Sequence, residues 1–235
     1  LRDKKKDSEQ INSSTNYQKS IPLPGNTLTV SMNAPAKIMS PAEKLLISLC
    51  RLEFTDEQKS TISEHIQQVN DWNYFLKIAN EHGIIALAGY NMRQTGLEKE
   101  IPVYAMTQLE NGYMQSLVRN TWLTGRWKEV NTILCNAGIK HILLKGMALE
   151  HTIYGSKGLR QMNDNDILLK RDDALNAWLL LQHEGFSHEL IKSHLHKKII
   201  QDTGKHLPTL FKQGYAVEIH HRLFGNKTTD NSDLF

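Results

Sequence analysis

From Ser40 to about Gly138 the apolar residues recur at helical spacing, and beyond Gly138 they gather into short runs. Ser40-Pro41-Ala42-Glu43 is a capping box with Pro at the first helical position, followed by a stripe of Leu45, Leu46 and Leu49. Thr55-Asp56-Glu57-Gln58 is a second capping box, opening a helix that carries Ile62, Ile66 and Val69. Asp71 caps a third helix with Trp72, Phe75, Leu76 and Ala79 on one face and Gly83 beyond its end. A fourth helix is predicted around 84–93. Pro102 then precedes one long helix over about 103–136, stopped by Gly138.

The second texture is mixed. His141-Ile142-Leu143-Leu144 reads as a buried strand beside Gly146, and 147–154 as a helix. Residues 155–163 form a loop with Gly155, Gly158 and Arg160. A second strand follows over 166–169. Asp172 starts a helix with Ala174, Ala177, Trp178 and Leu181 inward, closed by Gly185. After a turn at Gly214, residues 215–221 read as a third strand. No internal repeat is visible. The fold class is therefore α+β, a helical N-terminal region followed by a small mixed β-sheet core with flanking helices.

The expected organisation is a tail over 1–36, a helical region over 37–137 and an α/β core over 138–235. The tail combines a charged start (Arg2 to Asp7), Ser and Asn, and Pro22, Pro24 and Pro35, too polar to offset its ordering entropy. The alternative there is one strand at Thr27 to Val30.

Of the 235 residues 40% are hydrophobic, enough for a real core. The net charge of +3, with the eleven histidines counted as neutral, does not argue for nucleic acid. Cys50 and Cys135 sit in helix-like apolar sequence, which favours a reducing compartment over a disulfide framework. No stretch is apolar for long enough to span a bilayer, and the N-terminus has no signal-peptide core. A cytoplasmic location with no membrane partner is expected, for a sequence that opens on Leu1.

The chemistry concentrates in Leu144-Lys145-Gly146, Arg160 and Asp164-Asn165-Asp166-Ile167-Leu168-Leu169. Side chains alternate along a strand, so Asp164 and Asp166 point the same way. Two carboxylates this close repel unless a cation lies between them, and carboxylate oxygens suit Mg²⁺. Glu218, set among apolar residues in Ala216-Val217-Glu218-Ile219-His220, completes a three-carboxylate cluster if its strand is a neighbour. Such a cluster handles a nucleoside triphosphate by a two-metal mechanism. The strand–Gly–helix turn at Lys145-Gly146 offers close backbone approach, free N–H groups for phosphate oxygens and a lysine charge.

These segments resemble the nucleotidyltransferase superfamily that includes DNA polymerase beta and the kanamycin-type antibiotic nucleotidyltransferases. More closely, the chain is similar to a group of bacterial uncharacterised nucleotidyltransferases. The features carrying this closer likeness are Asp71-Trp72, Ala79-Asn80-Glu81-His82-Gly83, Leu144-Lys145-Gly146, Tyr154, Arg160, Asp164-x-Asp166, Gly185-Phe186 and Val217-Glu218-Ile219-His220, over residues 40–225. The resemblance implies a mixed sheet with helices, Mg²⁺, and a nucleoside triphosphate as donor, with ATP the expected one. Members of that group also tend to continue with further helices beyond the third strand. Two departures stand out. The turn is Lys145-Gly146 where the superfamily has Gly-Ser or Gly-Gly, and Asn165 occupies a position that is usually apolar, at a cost unless its amide is hydrogen-bonded.

Each candidate has a plainer reading. Asp164 and Asp166 could be turn formers entering a strand, and Glu218 a solvent-facing strand residue. Lys145 is a phosphate contact or a surface lysine, and Arg160 pairs with a triphosphate or fixes its loop through a carboxylate. His220 shares the face of Glu218 and is substrate-facing, supporting or purely structural. His206 is left open. His188 and His194-Leu195-His196-Lys197-Lys198 match no established zinc spacing and read as a solvated basic face. The expected function is transfer of a nucleoside monophosphate to an unknown acceptor, with Asp164, Asp166 and Glu218 as catalytic metal ligands and Lys145, Gly146, Arg160 and His220 around the nucleotide. The alternative is a non-catalytic module on the same fold that binds a nucleotide or partner. A nucleic-acid polymerase lacks the basic, aromatic-interleaved stripe it would need.

Overall fold

In the computed structural model the described residues are 38–155, 157–189, 204–224 and 234–235. The expected tail and its alternative strand lie outside them. Residues 39–235 form one compact unit.

Four helices open this unit: α1 (Pro41–Ser48), α2 (Asp56–Gln68), α3 (Trp72–Glu81) and α4 (Ile85–Thr95). Both expected capping boxes form, Ser40 with Glu43 and Thr55 with Gln58, and the Asp71 side chain accepts from the Tyr74 amide. Each cap satisfies backbone N–H groups that the first helical turn leaves without partners. Leu45, Leu49, Ile62, Phe75 and Met92 fill the space between the helices. Gly89 lets α4 lie directly on the next helix, because a Cβ there would come within 2.6 Å of the Leu109 carbonyl oxygen.

That next helix, α5 (Val103–Asn136), runs for 34 residues, roughly 50 Å at the α-helical rise. Its first half packs Ala105, Met106 and Leu109 into the helical core. Its second half packs Leu123, Trp127, Val130 and Leu134 into a different core, built on the sheet. One continuous helix thus belongs to both clusters.

The sheet has the order β1 (His141–Leu143), β2 (Asn165–Leu169), β5 (Tyr215–His220), β4 (Leu210–Lys212) and β3 (Ser187–His188). β2 and β5 run parallel and the other pairs are antiparallel. Helix α6 (Lys145–Thr152) follows β1, and α7 (Arg171–His183) follows β2. Every residue of β2 is buried, as the Ile167-Leu168-Leu169 run requires of a strand covered on both faces. Ala174, Ala177, Trp178 and Leu181 of α7 are all buried against the sheet.

Five expectations change. β1 ends at Leu143 and is half-buried along its length rather than buried, and α6 spans Lys145–Thr152 instead of 147–154. α7 starts at Arg171 after Lys170, so Asp172 lies inside the first turn, where its charge complements the helix dipole. The sheet contains β3 and β4 in addition to the three expected strands; at two and three residues they are too short to carry an alternating pattern. Cys50 and Cys135 are free thiols, as expected, but both are exposed. No helix among the described residues is long and apolar enough to cross a membrane.

Candidate active site

The parallel pairing of β2 and β5 sets Asp166 directly opposite Glu218. Adjacent strands lie about 4.8 Å apart, so these two side chains share one face at close range. His220 stands two residues further along that face, and its Nε2 lies 2.8 Å from Asp166 Oδ1 and 3.4 Å from Glu218 Oε2. One ligating atom each from Asp166, Glu218 and His220 falls within 4.8 Å of the others, a group that could hold a metal ion. At that separation and an effective dielectric of about 20, two carboxylates repel by roughly 3 kcal/mol, so the pair needs a cation.

Lys145 supplies one. Its Nζ sits 2.5 Å from Asp166 Oδ1 and 3.9 Å from Glu218 Oε2. The strand–helix turn that delivers it is held by the Leu144 amide, which donates to the Asp166 carbonyl at 2.9 Å. Lys145 itself has φ 47°, a left-handed conformation that costs a non-glycine residue about 1 kcal/mol or more. Such strain persists where the surroundings over-determine it, and here the side chain is tied to the two carboxylates.

The protonation equilibria follow from this packing. Burial pushes the Asp166 carboxyl up, but hydrogen bonds from His220 and Lys145 and their charges outweigh it and hold it below its ordinary range. Glu218 is held low by the hydrogen bond from His220, against burial, with further help from His206 and Thr209. Burial pulls Lys145 and His220 down, yet the acidic partners leave both above their usual values. Asp164 goes the other way: burial and the neighbouring Asp166 and Glu218 charges raise it, and only Lys145 and a backbone hydrogen bond oppose them. It therefore feels the cluster without belonging to the closest group of ligating atoms, in which His220 stands instead.

The remaining expected residues fall around this centre. Gly146 follows Lys145 at the start of α6; a Cβ there would lie 3.0 Å from the Met162 side chain and 3.6 Å from Arg160 Nε, so a larger residue would need Met162 to shift by a few tenths of an ångström. Arg160 therefore lies against the turn, with its Nε buried and without a hydrogen-bond partner, and no carboxylate among the described residues pairs with it. The alternative in which Arg160 fixes its loop through a carboxylate is not realised there. The loop is held instead from α5: Asn120 Nδ2 donates to the Arg160 carbonyl at 2.8 Å and Arg119 Nη2 to the Asn163 carbonyl at 3.0 Å. Glu150 of α6 accepts from the Gly158 amide at 2.5 Å.

Two contributors were not assigned from the sequence. His206 pairs with His220 in an antiparallel bridge, with ring centroids 5.2 Å apart, and Thr209 Oγ1 donates to Glu218 Oε1 at 3.1 Å. Both precede β4, whose existence the sequence pattern did not signal. His188 is placed elsewhere, its ring 4.8 Å from Trp178. The run from His194 to Lys198 lies outside the described residues.

The donor chemistry fits a divalent cation: two carboxylates and an imidazole nitrogen at mutual ligating distance, with a lysine ammonium beside them. Residues 68–235 match a family described as uncharacterised nucleotidyltransferase. No curated protein matches the chain.

Proposed function

The chain belongs to the family of uncharacterised nucleotidyltransferases, and we propose that it moves a nucleoside monophosphate from a nucleoside triphosphate, ATP in the first instance, to an acceptor. In this reaction an acceptor oxygen forms a bond to the α-phosphorus, the bond from that phosphorus to the bridging oxygen breaks, and pyrophosphate leaves. The observation that carries the reading is the Asp166–Glu218 pair, set face to face by strand register with Lys145 across it.

In this reading Asp166, Glu218 and Asp164 hold Mg²⁺, and His220 orients the first two carboxylates through its hydrogen bonds. The cation would neutralise charge on the attacking oxygen and on the departing pyrophosphate. Lys145, on the turn beside this pair, would offer its ammonium to phosphate oxygens of the donor. Gly146 and the start of α6 present backbone N–H groups to the triphosphate, and Arg160 turns its guanidinium to the same group. Positioning and electrostatics carry such a transfer, so a site made of charges on rigid strands suits it.

The test is pyrophosphate release from ATP with Mg²⁺ across a broad acceptor panel, beside calorimetric titration of MgATP. Saturable binding and release, both lost in Asp166→Asn, support the transfer. Wild-type affinity retained by Asp166→Asn and Glu218→Gln would remove the carboxylate pair from the site.

A second reading has its own support. Lys145 Nζ lies 2.5 Å from Asp166 and 3.9 Å from Glu218, so the chain's own lysine compensates the charge of the pair. On that reading the fold binds a nucleotide or partner without turnover. Tight nucleotide binding with no pyrophosphate release under any acceptor separates it from the enzyme.

A further inference from the structure

Beyond His220 the chain continues into His221 and Arg222, which are 5% and 6% exposed. Their backbone amides both donate to the Lys205 carbonyl, at 2.9 and 3.2 Å, which fixes the segment in place. The Arg222 side chain makes no hydrogen bond or ion pair with any described residue, and its Nη1 is fully buried without a partner. A guanidinium cannot be neutralised by losing its proton, so a buried one without an anion is strongly disfavoured.

A second arginine is nearby. Register pairs Leu168 with His220, so β2 and β5 end side by side. Arg171 follows β2 at the start of α7, and Arg222 follows β5. Both charges bear on the imidazole of His221, after burial the largest influences on it. Two arginines from different elements thus follow the neighbouring ends of the parallel pair, both within electrostatic reach of His221, and neither has a carboxylate partner among the described residues.

This end is distinct from the phosphate turn. Lys145 and Gly146 approach the pair from the Asp166 side. Arg222 lies four residues past Glu218, at most about 13 Å along an extended chain. The carboxylates therefore stand between the turn and the arginines, with the donor phosphates on one side and the arginines on the other.

We propose that Arg222, assisted by Arg171, binds a phosphate group carried by the acceptor substrate. The anion site stands on the buried guanidinium alone, and its assignment to the acceptor rests on the nucleotidyl-transfer reading. A guanidinium presents paired N–H donors that match two phosphate oxygens, which explains an arginine at the buried position. An acceptor anchored there would direct a hydroxyl a few bonds from its phosphate back towards Asp166 and Glu218.

The test titrates inorganic phosphate into the chain, without nucleotide or metal, by calorimetry or phosphorus NMR. Saturable binding is expected. Arg222→Gln should weaken it by roughly ten-fold or more, the scale of a charged hydrogen bond. Arg222→Lys should restore part of the loss, since a point charge lacks the paired donors. Arg171 is exposed, so Arg171→Gln provides a variant whose folding is not in question, and it should weaken phosphate several-fold. MgATP affinity in the same variants should fall less than phosphate affinity. Absence of saturable phosphate binding in the wild type, or equal phosphate affinity in wild type, Arg171→Gln and Arg222→Gln, overturns the site. An equal fall for phosphate and MgATP overturns the acceptor assignment and gives the arginines to the donor. Failure of the nucleotidyl-transfer reading has a separate signature, unchanged MgATP affinity in Asp166→Asn, which leaves the phosphate comparison intact.

Discussion

Asn165, the residue between the two aspartates, donates its side-chain amide to the Tyr215 hydroxyl at 2.9 Å in the interior of the sheet. Both residues have no solvent exposure. The bond joins β2 to β5 from the face opposite Asp166 and Glu218, because side chains alternate along a strand. Burial pushes the Tyr215 phenol well up, so the hydroxyl stays neutral. Tyr215→Phe strands a buried amide and should cost about 1–3 kcal/mol in urea unfolding. Pairing it with Asn165→Leu removes both polar partners and should recover most of that loss. A double variant no more stable than Tyr215→Phe would show that the hydrogen bond is not what matters there.

Divalent-ion affinity tests the carboxylate pair without any knowledge of the acceptor. Asp166 and Glu218 each supply an atom to the tight group, so Asp166→Asn and Glu218→Gln should each lower Mn²⁺ affinity by roughly a hundred-fold, the loss of one charged ligand. Asp164 stands outside that group and feels it electrostatically. Asp164→Asn should therefore weaken Mn²⁺ too, by a smaller factor without nucleotide. Calorimetric titration of the three variants gives the ranking, and a ranking with Asp164 first would move the ion toward the start of β2.

Lys145 combines a left-handed backbone with a charge between two carboxylates. Lys145→Ala and Lys145→Gly both remove the charge, and only glycine relieves the backbone. The glycine variant should be the more stable of the two by about 1 kcal/mol. Equal melting temperatures would mean that the φ of residue 145 relaxes once its side chain is cut.

Much of the fold was legible because its signals are local. The capping boxes at Ser40 and Thr55 and the Asp71 cap need only three or four residues, and they form as expected. The strand register that places Glu218 opposite Asp166 is not local, and the sequence could only state it as a condition. The roles of His220 and His206 depend on that same register and on a hairpin with two central residues at positive φ, Gln213 and Gly214, of which the glycine alone gave a signal. The double membership of α5 was hidden for another reason. Its first and second halves each show helical spacing, but nothing in a period reveals which core a face meets.

The stability of the sheet should fall in acid through one identifiable pair. Glu129 of α5 accepts from Lys212 Nζ of β4 at 2.7 Å, and that hydrogen bond, against burial and with the Lys212 and Arg126 charges, holds its carboxyl below the usual range. A carboxyl lowered on folding contributes stability above its unfolded pKa, about 4.3. The contribution is lost as pH falls through the lower folded value. Glu129→Gln should therefore melt below the wild type at pH 7, and the gap should close as pH falls from 7 through the lowered folded pKa of Glu129. A constant gap across that range would indicate that packing, not the ion pair, sets the effect.

The loop that carries Arg160 offers a control built into its own glycines. Gly155 and Gly158 both have positive φ, 63° and 72°. At Gly155 an added Cβ would meet, among the described residues, only Lys157 Cε at 3.9 Å, whereas at Gly158 it would come within 2.5 Å of Leu117 Cα on α5. Gly155→Ala therefore pays only the left-handed penalty, about 1 kcal/mol. Gly158→Ala adds a backbone clash and should cost about 2–4 kcal/mol. Because the clash pushes the loop off α5, it also loosens the bond from Asn120 to the Arg160 carbonyl and the one from Gly158 to Glu150. MgATP affinity should accordingly drop in Gly158→Ala at a temperature where the variant is still folded, and hold in Gly155→Ala. Equal affinities in the two would mean that Arg160 reaches its ligand without help from the long helix.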